Sequence, residues 1–201
     1  LDFGRVVPMV NGSQDVYRAR TQQTAVNTAV SLLLDNSGSM SGNPLRMCQA
    51  TGITLDMAVK GTRTNVEITG FTSASSRVKI YRYRAFGQKG GNAAASLGNM
   101  GEVQLGGTPV STPLLEAWRR LSQQKEPRRI MIVVSDGGAD GNDKKAAREA
   151  HDFIVSQGCI VIGIAIGSET LMKEWCDNVQ AIESFEDLPV ALTHLVREAV
   201  K

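Results

Sequence analysis

Three short segments of the sequence bring oxygen donors together beside glycine: Asp35-Asn-Ser37-Gly-Ser39, Gly106-Gly-Thr108 and Ser135-Asp136-Gly137. Between them they offer the carboxylates of Asp35 and Asp136 and the hydroxyls of Ser37, Ser39 and Thr108. A donor set of oxygens alone suits a hard cation, Mg²⁺, Mn²⁺ or Ca²⁺. No His or Cys lies close in sequence to any of the three segments, which argues against zinc. Gly38 is expected to let Ser37 and Ser39 point at one atom. Thr112, also followed by proline and a helical segment, is a second candidate for the threonine; its alternative role is a helix N-cap.

These segments can converge only if the chain places them at one edge of a sheet. Thr28–Leu34 is a near-continuous apolar run, as suits a strand covered on both faces, and it ends at Asp35. Arg129–Ser135 and Cys159–Ile166 read the same way, and the former runs into Asp136. Val66–Phe71 is a further strand. In Arg77–Phe86, Val78 and Ile80 share one face while Tyr81 and Tyr83 fall on the other, which predicts a bulge or an edge strand; its basic residues favour an edge. Helices are expected from Pro44 to Gly61, over Thr112–Gln124, over Asp143–Gln157, and after Asp187 with Leu188, Leu192, Leu195 and Ala199 as its stripe. The first helix carries Leu45, Cys48, Gly52, Leu55 and Val59 on one stripe and Met47, Ala50, Thr54 and Met57 on a neighbouring one. A short helix near Glu169–Cys176 and a weak strand over Val179–Ile182 complete the pattern. Gly87–Gly107, rich in Gly, Ala, Asn and Ser, reads as a long loop. Alternating strands and helices predict a Rossmann-like, doubly wound, mostly parallel sheet with one antiparallel edge strand and helices on both faces. In such sheets ligands sit beyond the carboxyl ends of the strands where the winding reverses.

D-x-S-x-S after a buried strand, then G-G-T, then S-D-G after another strand, resembles the metal-ion-dependent adhesion site of von Willebrand A domains, over residues 27–200. The resemblance implies one divalent cation, most simply Mg²⁺, held by Asp35, Ser37, Ser39, Thr108 and Asp136. It favours Thr108 over Thr112. The stretches Val16–Arg20, Asn27–Met40, Ala117–Leu121 and Arg128–Gly137 further resemble the von Willebrand A region of the cobalt chelatase subunit family, with its bacterial and phage homologues. That resemblance implies a non-catalytic subunit working with an AAA+ ATPase. The partner, that ATPase or a chelatase-type subunit, would supply an acidic residue to the metal. A surface or virion adhesion module is the alternative.

Composition narrows the choice. The 201 residues fit one domain at 27–201 with an N-terminal arm or linker at 1–26. The formal charge of +2 makes no electrostatic case for nucleic acid. No apolar run approaches the roughly 18 residues of a membrane span. The sequence starts at Leu1 without Met or a signal-peptide pattern and reads as a piece of a longer protein. Cys48, Cys159 and Cys176, odd in number and widely spaced, suggest reduced thiols and a cytoplasmic protein. There is no G-x-x-x-x-G-K-[ST] and no G-x-S-x-G, so neither a phosphate cradle nor a nucleophile elbow is present. His151 and His194 lie on expected helices without matching partners and read as packing or surface residues. Lys144, Lys145 and Arg148 read as a solvated helix face, with partner docking as the alternative. No ATPase or hydrolase activity is expected of the chain by itself.

Overall fold

The computed structural model describes residues 27–184 and 187, apart from 61, 76, 89–92 and 104–105. The arm at 1–26, the helix stop at Gly61, and the last helix with His194 lie outside the described residues. Strands β1 (Thr28–Asp35), β2 (Thr64–Ala74), β3 (Arg77–Arg84), β4 (Arg128–Ser135), β5 (Ile160–Ile166) and β6 (Val179–Ile182) form one sheet in the order β3-β2-β1-β4-β5-β6. All neighbours are parallel except β2 and β3. β1 is central, with Leu32 opposite Ile68 of β2 and Ile132 of β4. The winding reverses between β1 and β4, so the ends of these two strands frame the crevice in which such sheets hold ligands.

Alternation along β1 explains its near-continuous apolar run. Val30, Leu32 and Leu34 face one core, with α1 (Asn43–Ala58) and α2 (Ala93–Gly98) as its cover. Ala29 and Leu33 face the other, under α3 (Ser111–Leu121) and α4 (Lys144–Ser156). Pro44 sits in the first turn of α1, where its missing N–H costs nothing. The buried face of α1 is Leu45, Met47, Cys48, Thr51, Gly52, Leu55 and Asp56. The second stripe expected there is therefore displaced: Met57 is 68% exposed, and Thr51 and Asp56 take its place. On α3, Ala117 is buried and Leu115 is 45% exposed, so the inward stripe is narrower than the leucine pattern suggests.

The edge strand carries the bulge its sequence predicts. Thr69 opposes Arg82 and Ile68 opposes Arg84, which leaves Tyr83 as the extra residue. Tyr83 thereby enters the core under α1, and Arg84 reaches the same face to pair with Asp56. Both charged partners are buried, at 6% and 3% exposure, so each depends on the other.

The expected loop at Gly87–Gly107 is in part structured: α2 and a 3₁₀ turn over Asn99–Glu102 lie within it. Ala93, Leu97 and Met100 are buried, at the i, i+4, i+7 spacing of one helix face. The Ala-Ala-Ala-Ser-Leu run supplies helix propensity that the surrounding glycines mask. The segment near Glu169–Cys176 contains a 3₁₀ turn, Met172–Glu174, and Val179–Ile182 is β6.

Candidate metal centre

Asp35 ends β1 and is fully buried. Its Oδ1 accepts the N–H of Ser37 at 2.7 Å, and its Oδ2 accepts a short hydrogen bond from the hydroxyl of Ser135. Burial pushes the Asp35 carboxyl up to about 7, against the lowering effect of Ser135 and Ser37; the charge of Asp136 adds a smaller upward push. A buried carboxyl of this kind, with a second carboxyl close enough to disfavour its ionisation, is a group that a cation would stabilise.

The loop after Asp35 is pinned on two sides. Asn36 donates its N–H to the Phe71 carbonyl at 2.8 Å, and Gly38 donates to the Gly106 carbonyl at 2.7 Å. A 3₁₀ turn over Gly38–Met40 brings the hydroxyls of Ser37 and Ser39 to 3.1 Å from each other. That turn, and not glycine freedom at position 38, makes them converge: Gly38 is outside the left-handed region, and a Cβ there would meet only the Gly106 carbonyl at 3.6 Å.

Gly106, Gly107 and Thr108 lie between that loop and the end of β2. Ser37 bridges Gly106, and Ser73 bridges Gly107. The Gly106 N–H reaches Thr72 Oγ1 at 3.0 Å, and the Gly107 N–H reaches Ser73 Oγ at 3.1 Å. A Cβ on Gly106 would fall 1.7 Å from the Ser73 carbonyl oxygen, so only glycine permits this approach. Thr108 is 8% exposed. Thr112 lies exposed inside α3 as its second residue, and its expected N-cap role is not found: the helix begins at Ser111. The N-terminus of α3 is capped instead by Asp143 of the β4–α4 loop, whose Oδ2 accepts the N–H groups of Val110 and Ser111.

Asp136 follows β4 and is half-buried. Gly137 next to it takes a φ of 101°, and its N–H donates to Ser135 Oγ at 3.1 Å. Ser135 thus connects the turn carrying Asp136 to the carboxylate of Asp35. The five expected donors therefore sit on three segments that touch: Ser37 meets Ser39, Ser37 backs onto the Gly106–Thr108 segment, and Ser135 joins Asp35 to the Asp136 turn. An all-oxygen donor set around a buried carboxyl fits a hard divalent ion.

Sequence reasoning missed four contributors. Ser135 belongs to the S-D-G segment, but its bond to Asp35 cannot be read from that motif. Asn36 is fully buried, with Nδ2 3.3 Å from the Met100 carbonyl, and links the loop after β1 to the turn after α2. Asp140 and Asp143 hold the Thr108 segment, and nothing in their spacing shows which segment they face.

Other polar clusters on the described surface are already satisfied. His151 is 2% exposed and 2.9 Å from Asp152 Oδ1, consistent with a packing residue. Its neighbours Asp152 and Asp177 are both taken by Arg148. Lys144 and Lys145 pair with Glu174 and Glu149. All three cysteines are free and buried. Among the described residues no helix is long and apolar enough to cross a membrane.

The family model of the cobalamin biosynthesis protein CobT VWA domain matches residues 16–104. Solved structures agree on the fold. The pilus adhesin SpaC from Lactobacillus rhamnosus GG matches at 14% identity and a TM-score of 0.68, over 89% of this chain and 31% of the adhesin. The chain thus spans about a third of the length of that protein. The vWF domain of the type V pili tip protein Mfa5 from Porphyromonas gingivalis matches at 11% identity and a TM-score of 0.68, over 86% of this chain and 95% of the other. The manganese-loaded Plasmodium vivax TRAP protein matches at 17% identity and a TM-score of 0.64, over 85% and 73%. With the six-stranded sheet and its antiparallel edge, these likenesses show that the chain has the von Willebrand A fold, and its residues 16–104 are similar in sequence to the CobT VWA domain.

Proposed function

We propose that this domain is a divalent-cation-dependent protein-interaction module, an adaptor within a chelatase-like subunit that works with an AAA+ ATPase. Asp35, Ser37, Ser39, Thr108 and Asp136 would hold one Mg²⁺, with Mn²⁺ or Ca²⁺ as substitutes. The observation that carries this reading is the convergence of Ser37, Ser39, the Gly106–Thr108 segment and the buried Asp35 at the switch point of the sheet. The match to the CobT VWA domain and the manganese-loaded state of one fold relative support it.

A cation held in part by neutral hydroxyls stays electrophilic at its open positions. A partner's Asp or Glu brought there loses water but gains the ion, so burial of its charge is compensated. The sequence carries no G-x-x-x-x-G-K-[ST] phosphate cradle, and in this reading ATP turnover is assigned to the partner. The buried, unpaired thiols agree with a cytoplasmic setting.

The test is the affinity of this chain for the AAA+ ATPase subunit of the same organism, with Mg²⁺ and with EDTA. Binding that requires the cation and is lost in Ser37→Ala and Thr108→Ala is expected. Undiminished affinity in EDTA would place the docking surface elsewhere.

A further inference from the structure

The segment that leads from Thr108 into α3 offers three backbone N–H groups, those of Thr108, Val110 and Ser111; Pro109 has none. Two carboxylates from the loop after β4 take all three. Asp140 Oδ1 accepts the Thr108 N–H at 3.2 Å, and the Asp140 N–H returns a bond to the Thr108 carbonyl at 3.1 Å. Asp143 Oδ2 accepts the N–H of Val110 at 2.5 Å and of Ser111 at 2.9 Å, while its Oδ1 takes the Ser111 hydroxyl. The Asp143 N–H closes onto the Asp140 carbonyl at 2.7 Å, so both side chains come from one turn.

Two details show that this contact is built in. Asp143 immediately precedes α4, where an Asp side chain ordinarily caps its own helix, yet it makes no such bond there and turns to α3 instead. Gly107 leaves room for the contact, since a Cβ at that position would lie 2.8 Å from Asp140 Oδ2.

We infer that Asp140 and Asp143 are positioning residues for the cation, clasping the backbone that carries Thr108 to the loop that carries Asp136. This rests on the reading of Thr108 and Asp136 as ligands. Donors from two separate elements then meet the ion as one rigid unit, and little ordering is left for the moment of binding. Groups that orient a ligand from behind are worth about 10–100-fold in metal affinity.

The experiment is calorimetric titration of the full chain with Mn²⁺, with thermal unfolding as a check on the fold. Asp140→Ala and Asp143→Ala should each bind Mn²⁺ about tenfold more weakly than wild type. Asp140→Asn and Asp143→Asn, which keep an acceptor for the same N–H groups, should recover most of that loss. Unchanged affinity in Asp140→Ala would overturn the inference. So would an equal loss in Asp140→Ala and Asp140→Asn, because charge near the ion, and not position, would then be the cause. Should Asp143→Ala fail to fold, the Asp140 pair and Asp143→Asn carry the decision. Wild type that binds no Mn²⁺ would sink the cation site itself, a result distinct from either.

Discussion

Asp35→Asn should stabilise the metal-free domain while removing its response to metal. The Asp35 carboxyl is fully buried and is pushed up to about 7 from 3.8, chiefly by burial. Between about pH 4 and pH 7 the folded chain keeps a proton that the unfolded chain has released. Stability without metal therefore falls as pH rises through that window and levels off above it. A shift of about three units corresponds to about 4 kcal/mol. Asparagine removes this penalty and keeps an oxygen for the Ser37 N–H, but it meets Ser135 with a less favourable partner. A net gain of about 2–4 kcal/mol at pH 8 is expected, or roughly 5–15 °C for a domain of this size. The assay is thermal unfolding in EDTA from pH 5 to pH 8, repeated with Mn²⁺. Wild type should lose stability with rising pH in EDTA and regain it with Mn²⁺, by an amount set by metal concentration over Kd. The variant should show neither effect. An Asp35→Asn protein less stable than wild type at pH 8 in EDTA, or a wild type indifferent to pH, would refute the reasoning.

Three further outcomes concern the frame around the site. Asp56→Ala leaves Arg84 buried without its partner and should lower stability by about 3–5 kcal/mol in denaturant titration, whereas Asp56→Leu with Arg84→Met should recover much of it. Leu97→Ala empties a site that is 0% exposed and should lower stability by about 2–5 kcal/mol, with faster amide exchange over Ala93–Glu102. Burial pushes the Cys159 and Cys176 thiols up to about 12 and raises Cys48 as well, so a thiol reagent should label the native domain only as fast as it unfolds.

Most of the sheet is legible in the sequence because its central parallel strands β1, β4 and β5 are buried on both faces. Thr28–Leu34, Arg129–Ser135 and Cys159–Ile166 are mostly apolar for that reason, and each agrees with an observed strand to within a residue or two. The edge strand is legible through its basic residues, while its bulge falls at Tyr83, past the regular pairing of Ile80 and Tyr81. Helix α2 is hidden because glycine and asparagine around it dominate the composition, although Ala93, Leu97 and Met100 carry its period. The proposed donors Asp35, Ser37, Ser39 and Asp136 stand out in the sequence because they follow buried strands, and Thr108 because it follows a glycine pair. Their supports do not. Ser135 points back at Asp35, and Asp143 turns from its own helix to another, and such choices of partner depend on tertiary distances that spacing does not encode. The same holds for Arg84, one of the basic residues that favour an edge, which the bulge turns onto the buried face where Asp56 of α1 meets it.

The central claim is that one divalent cation sits among Asp35, Ser37, Ser39, Thr108 and Asp136. Calorimetric titration of Mn²⁺ into wild type and Asp136→Ala, each first stripped of metal, tests it most directly. Wild type should take up one equivalent and Asp136→Ala none, with both proteins unfolding cooperatively in EDTA. Equal Mn²⁺ binding by the two proteins would contradict the claim.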